Sequence, residues 1–159
     1  MTVLTATDGT KQIPFEVAEI ELTYKSTVYP SEMAHIDSAF SAYGLFINQW
    51  SNQLELREEF NVIFLNRANK AIGFYNASTG GTAGTVVDTK LIFTAALKCK
   101  ASSIILAHNH PSGKLYPSDT DKVLTHKLVQ AGKFLELPVL DHLIITVDGY
   151  YSFADEKEI

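Results

Sequence analysis

Hydrophobic residues fall along this chain in short runs whose spacing changes several times between strand-like and helix-like. From Ile13 to Val28 the apolar positions Phe15, Val17, Ile20, Leu22 and Tyr24 alternate loosely with polar ones, which predicts one or two strands. Pro30 and Ser31 interrupt that pattern. Beyond them Ile36, Phe40, Tyr43, Ile47 and Trp50 recur every three to four residues, the spacing of one buried helix face. Phe60–Asn66 and Ala71–Tyr75 are apolar and rich in strand formers, and the polar tetrad Arg67–Lys70 between them predicts a hairpin. Ser78–Gly84 reads as a loop and Thr85–Val87 as a short strand.

In the second half Asp88 is placed to cap a helix whose stripe is Leu91, Ile92, Ala95, Ala96 and Cys99. Ser103–Ala107 is a fully apolar strand. Pro117–Asp121 opens a further helix with Leu124, Leu128, Ala131 and Leu135 on its inner side. Pro138–Val147 predicts a long strand, then a turn at Asp148-Gly149 and a short strand over Tyr150–Phe153. Helices interleaved with apolar strands imply a single-domain α/β layer fold around one mixed sheet. Residues 1–30 are expected to be a strand-rich lead-in packed on the domain, and residues 31–159 the domain itself.

Composition narrows the class. At 159 residues, 46% hydrophobic and 19% charged, the chain can bury a core without disulfides. One cysteine, Cys99, excludes an internal disulfide and a zinc site built from several thiolates. Its place on an apolar helix stripe marks it as core rather than nucleophile. No apolar run approaches the roughly 20 residues of a membrane span. The first ten residues lack the basic start and long apolar core of a signal peptide, so a reducing cytoplasm is the expected location. With 13 Lys and Arg against 18 Asp and Glu the net charge is −5, which opposes autonomous nucleic-acid binding. A local patch is the exception to weigh: Lys98 and Lys100 end one helix, and Lys114, Lys122 and Lys127 surround the residues discussed next.

The stretch from His108 to Asp121 carries the chemistry. In an extended chain residues i and i+2 point the same way, so His108 and His110 project together at the carboxyl end of an apolar strand, where open α/β sheets place their ligands. Pro111, Ser112 and Gly113 fold the chain back, and Asp121 falls in the first turn of the next helix. Two imidazoles and a carboxylate make a three-ligand site with a fourth position open for water, the plan of catalytic zinc. A plainer role for Asp121 coexists with this one: Ser118 and Asp121 fit a capping box at N-cap and N3.

His108-x-His110, seven residues, Ser118, two residues, Asp121 resembles the JAMM signature of JAB/MPN-type metalloproteases. The flanking Ile-Leu-Ala-His-Asn-His-Pro-Ser-Gly and Leu-Asp-His-Leu-Ile-Ile resemble the bacterial RadC branch, and the likeness runs from about Ile36 to Ala154. The resemblance implies an α/β sandwich of JAB/MPN type with cytidine-deaminase-like topology. It further implies zinc held by His108, His110 and Asp121, with Ser118 helping to hold an oxyanion and an upstream glutamate moving protons. Glu58 stands two residues before Phe60, as in RadC-like sequences, and is favoured for that last role; Glu59 is its rival, because the strand that follows is apolar on both faces.

The activity so implied is hydrolysis of an amide bond in a peptide or protein substrate. The RadC association also carries a DNA-repair label, which makes a factor acting on or near nucleic acid the alternative, although residues 1–30 do not look like the helix-hairpin-helix segment many such proteins carry. His142, beside Asp141, reads as hydrogen-bonding support rather than a ligand. His126 and His35 read as exposed. Gly80–Gly84 has no phosphate-binding lysine and reads as the lining of a groove. A zinc deaminase is excluded, since its His-x-Glu and Pro-Cys-x-x-Cys are missing.

Overall fold

In a computed structural model, residues 18–81 and 86–159 are described. The elements over these residues are α1 (Ala39–Gln49), β1 (Glu59–Leu65), β2 (Ala71–Thr79), α2 (Thr89–Lys98), β3 (Ser103–Asn109), α3 (Asp119–Phe134), β4 (Val139–Thr146) and β5 (Gly149–Ser152). The strands form one mixed sheet in the order β2-β1-β3-β4-β5. β1 pairs antiparallel with both β2 and β3, β3 pairs parallel with β4, and β4 returns antiparallel into β5. The chain is thus an α/β domain with a five-stranded mixed sheet and three helices among its described residues.

Strand pleat sorts the core into two faces. Phe60, Val62, Phe64, Ile104 and Leu106 pack against Ile92, Phe93 and Ala96 of α2 and Leu128 of α3. Their sequence neighbours Ile63, Leu65, Ile105 and Ala107 pack with Leu143 and Ile145 against Ala42 and Phe46 of α1. Both faces of β1 and β3 are covered, so every residue of these strands is buried and their middles, Val62–Leu65 and Ile104–Ala107, are apolar without a break. Cys99 belongs to the first of these clusters, with its thiol directed at the Ala96 carbonyl.

Several elements depart from the sequence expectation. Residues 13–17 and the loop positions 82–85 lie outside the described residues. Residues 18–28 form no strand. Ile20 and Leu22 there are 84% and 79% exposed, and the Tyr24 hydroxyl donates to the Ile72 carbonyl at 2.8 Å. Alternation sets which way side chains point, but a strand also needs a partner backbone, which this segment lacks among the described residues. Val86 and Val87 likewise join no strand, whereas β2 runs on to Thr79 because β1 continues to pair with it. The buried face of α1 is rotated from the one expected: Ala42 and Phe46 are buried, while Phe40 is 71% exposed and Ile47 faces outward. Large residues dominate a sequence stripe, yet close helix–sheet approach selects the small Ala42 for the contact.

Candidate metal centre

β3 delivers both histidines to one place. His108, almost at the end of the strand, is 2% exposed on the face covered by α2 and α3. The His110 N–H donates to the Ile145 carbonyl at 3.0 Å, which holds the chain in line with β4 for one residue past β3. The i, i+2 relation therefore survives, and the two imidazole Nε2 atoms lie 2.9 Å apart. A turn follows, closed by the Gly113 N–H on the His110 carbonyl at 3.0 Å. Gly113 has φ +77°, open to glycine without strain. The turn returns the Lys114 carbonyl to His110, where it accepts from Nδ1 at 2.6 Å.

α3 delivers the carboxylate. Ser118 is its N-cap and Asp121 its N3 residue, joined in a reciprocal capping box. Asp121 Oδ2 accepts from both the Ser118 N–H and hydroxyl at 2.7 Å. The cap fixes the carboxylate with Oδ1 3.3 Å from His108 Nε2 and Oδ2 3.4 Å from His110 Nε2. Capping and site-building are one arrangement here, since the same hydrogen bonds that start the helix aim the acid.

Proton positions follow from the partners. The Lys114 carbonyl can only accept, so His110 carries its proton on Nδ1 and presents a bare Nε2 when neutral. Beneath His108 lies His142, fully buried, with its Nε2 2.8 Å from His108 Nδ1. Burial above all, with the neighbouring His108 adding to it, pushes the His142 pKa well below 6.5, so the ring is neutral. Thr125 donates its hydroxyl proton to the Asp121 carbonyl at 2.6 Å and so must accept from His142 Nδ1, also at 2.6 Å. His142 Nε2 is then an acceptor, His108 donates from Nδ1, and His108 Nε2 is bare as well.

Two bare nitrogens at 2.9 Å beside a carboxylate repel one another unless a cation joins them. Hydrogen bonding to Asp121 raises the His110 pKa above 6.5 against the opposing effect of burial, with a further pull from Glu58. Burial alone would raise the Asp121 carboxyl, but the contacts from His108 and His110 outweigh it and hold the group well below the usual carboxylate range. A proton can answer this demand, and so can a metal ion. Zinc bonded to nitrogen and oxygen at about 2.0–2.1 Å in a tetrahedron separates neighbouring ligand atoms by roughly 3.3 Å. Each imidazole nitrogen lies close to that distance from one Asp121 oxygen, His108 from Oδ1 at 3.3 Å and His110 from Oδ2 at 3.4 Å, and the two nitrogens, at 2.9 Å, would move apart by about 0.4 Å to hold the ion. Among the described residues His108, His110 and Asp121 form a cluster able to hold a metal ion.

The neighbouring glutamates are divided by the pleat. Glu58 is half-buried, two residues before Phe60, whose ring stacks on His108 at 6.1 Å. Its backbone is held by the glycine loop, accepting from the Gly80 N–H and donating to the Gly81 carbonyl. Glu59 points to the α1 face, where it is 3% exposed and accepts from the Ser51 hydroxyl at 2.6 Å. Asn109 stands between the two histidines. It turns away from them and ties down the segment that carries Glu58: Oδ1 accepts from the Glu59 N–H at 2.7 Å, and Nδ2 donates to the Leu54 and Arg57 carbonyls at 2.6 and 2.9 Å. Its only signal in the sequence is a polar residue on the apolar phase of β3.

Asp141 and His142, adjacent in β4, also part company. Asp141 accepts from Ser152, Ala154 and the His142 N–H on the α1 side, tying β4 to β5 and the turn beyond it. His126 and His35 are exposed. Lys122 is paired with Glu158 at 2.9 Å, which removes one cation from the patch expected around the histidines.

The sequence model of the RadC-like JAB domain matches residues 36–158. Relatives include a UPF0758 protein of Flavobacterium johnsoniae, 54% identical over 99 residues covering 62% of this chain and 43% of the relative. A UPF0758 protein of Porphyromonas gingivalis is 38% identical over 157 residues, 98% of this chain and 63% of the relative. The UPF0758 protein YfjY of Escherichia coli is 41% identical over 99 residues, 62% of each chain. The chain thus spans roughly half the length of the first two relatives it matches.

Proposed function

This chain belongs to the RadC-like JAB domain family, and on that premise we propose that it is a zinc-dependent hydrolase of the peptidase or isopeptidase type, acting on an amide bond of a peptide or protein. The observation that supports this most is the convergence of two bare imidazole nitrogens and a carboxylate, with the Glu58 backbone anchored on the same side of the sheet. His108, His110 and Asp121 would hold the ion. Bound zinc supplies Lewis-acid polarisation of the scissile carbonyl and lowers the pKa of water towards ~7.

The protein's own groups do the rest. Glu58 takes the proton of the attacking water and returns it to the leaving amine, so one carboxylate serves as base and then acid. Ser118 turns its hydroxyl proton from Asp121 Oδ2 towards the developing oxyanion, while its N–H keeps Asp121 in place. The half-buried position of Glu58 leaves it within reach of solvent and substrate together.

Elemental analysis of protein purified without chelator should find about one zinc per chain, the count expected of a single three-ligand site. His108→Ala/His110→Ala should abolish it. Glu58→Gln should keep the metal and lower turnover of a peptide library by about a hundredfold or more. Full zinc content in the double histidine variant, or unimpaired turnover in Glu58→Gln, would overturn the assignment.

A further inference from the structure

We propose that Thr125 and His142 form a hydrogen-bond relay that fixes the proton of His108 on Nδ1 and thereby keeps its Nε2 free for a metal ion, an inference that rests on the zinc reading above. The relay starts at the backbone carbonyl of Asp121, passes through the Thr125 hydroxyl at 2.6 Å and His142 at 2.6 Å, and reaches His108 at 2.8 Å. It begins and ends at the same site, because Asp121 also supplies the carboxylate facing His108 Nε2.

Direction is set at its first step. A threonine hydroxyl in a helix donates to the carbonyl four residues back, which leaves its oxygen lone pairs for His142 Nδ1–H. Every later proton follows from that one. A histidine serving only as filler between Phe60 and Phe153, on whose ring it stacks at 5.1 Å, would need no order of donors. It would also be a poor filler, since a fully buried imidazole needs partners for both nitrogens. Thr125 is 1% exposed, and its buried hydroxyl has both the Asp121 carbonyl and His142 as partners. His142 and Thr125 are therefore positioning residues: they touch neither substrate nor ion, and they act through His108.

The test is Thr125→Val, which keeps the shape and removes the acceptor. His142 is then free to carry its proton on Nε2, which forces His108 to protonate on the metal side. Zinc affinity, measured by competition with a chelating dye, should fall about ten- to hundredfold, and Thr125→Ser should restore it. His142→Phe, which keeps the ring between Phe60 and Phe153, should weaken zinc to a similar degree. Nitrogen-15 ring shifts of His142 in the zinc-free wild type should show a neutral ring protonated on Nδ1. A proton on Nε2 there, or zinc affinity unchanged in both Thr125→Val and His142→Phe, would overturn the relay. A wild-type chain that shows the Nδ1 proton, loses it in Thr125→Val and binds no zinc would support the relay and sink the metal reading instead.

Discussion

At the entry to β1 two glutamates stand side by side, and one peptide unit separates their environments. Glu58 shares the side of Phe60 and the histidines, whereas Glu59 is buried towards α1 against the Ser51 hydroxyl. Glu59→Gln should therefore leave turnover near the wild-type value and cost about 1–2 kcal/mol of stability through the altered buried hydrogen bond, read by urea denaturation. Asn109→Ala should do the reverse of a ligand mutation. It strips partners from the Glu59 N–H and from the Leu54 and Arg57 carbonyls, so the segment holding Glu58 loosens. Zinc content should persist while kcat drops by about tenfold or more, since small misplacement of a catalytic group is costly. Loss of zinc in that variant would show that Asn109 supports the histidines instead.

Among the elements, the passage from α3 into β4 is close-packed at Gly132. A Cβ on Gly132 would come within 2.5 Å of the Leu137 carbonyl oxygen, and the Leu137 N–H donates to the Gly132 carbonyl at 2.8 Å. Alanine in a helix gains up to about 1 kcal/mol over glycine by propensity. Here the neighbour is backbone and cannot swing aside, so overpacking of about 1–3 kcal/mol should win. Gly132→Ala should lower the thermal midpoint. β4 and β5 depend on Asp141, whose carboxyl pKa burial pushes up from 3.8 in spite of three donors. Since the folded state holds that proton more tightly, stability due to Asp141 should fall as pH rises from about 3.8 through the raised value, and level off above it. Asp141→Asn should flatten that slope, in denaturation curves taken at several pH values.

For the molecule as a whole, charge predicts its behaviour towards polyanions. The net charge is −5, and Lys122, one of the cations near the histidines, is engaged by Glu158. Duplex DNA should bind weakly and without sequence preference at about 150 mM salt, because neutralised phosphates drive such binding. A titration over several salt concentrations checks this. Submicromolar affinity with a steep salt slope, lost in Lys114→Glu/Lys122→Glu, would favour the nucleic-acid alternative over the peptidase. No helix among the described residues is long and apolar enough to cross a membrane.

What could be read from the sequence was local. Strand alternation places His108 and His110 on one side, and the Ser118–Asp121 spacing is a helix cap, so the site is legible wherever two or three residues of one element set the geometry. The hairpin and the caps at Asp88 and Ser118 were legible for the same reason. Tertiary structure alone decided what depended on partners distant in the chain. A strand flanked by apolar residues on both faces, such as β1, does not reveal which face meets a given helix, so the different surroundings of Glu58 and Glu59 depend on α1 and α3 taking opposite sides. The rotation of α1 towards Ala42 and the unpaired course of residues 18–28 depend on close packing and on available strand edges. Thr125 and His142 lie 17 residues apart and meet beside β3, where His142 reaches His108 from the neighbouring strand. Their order of donors and acceptors exists only when the fold closes, because a proton's position is set by its neighbours in space.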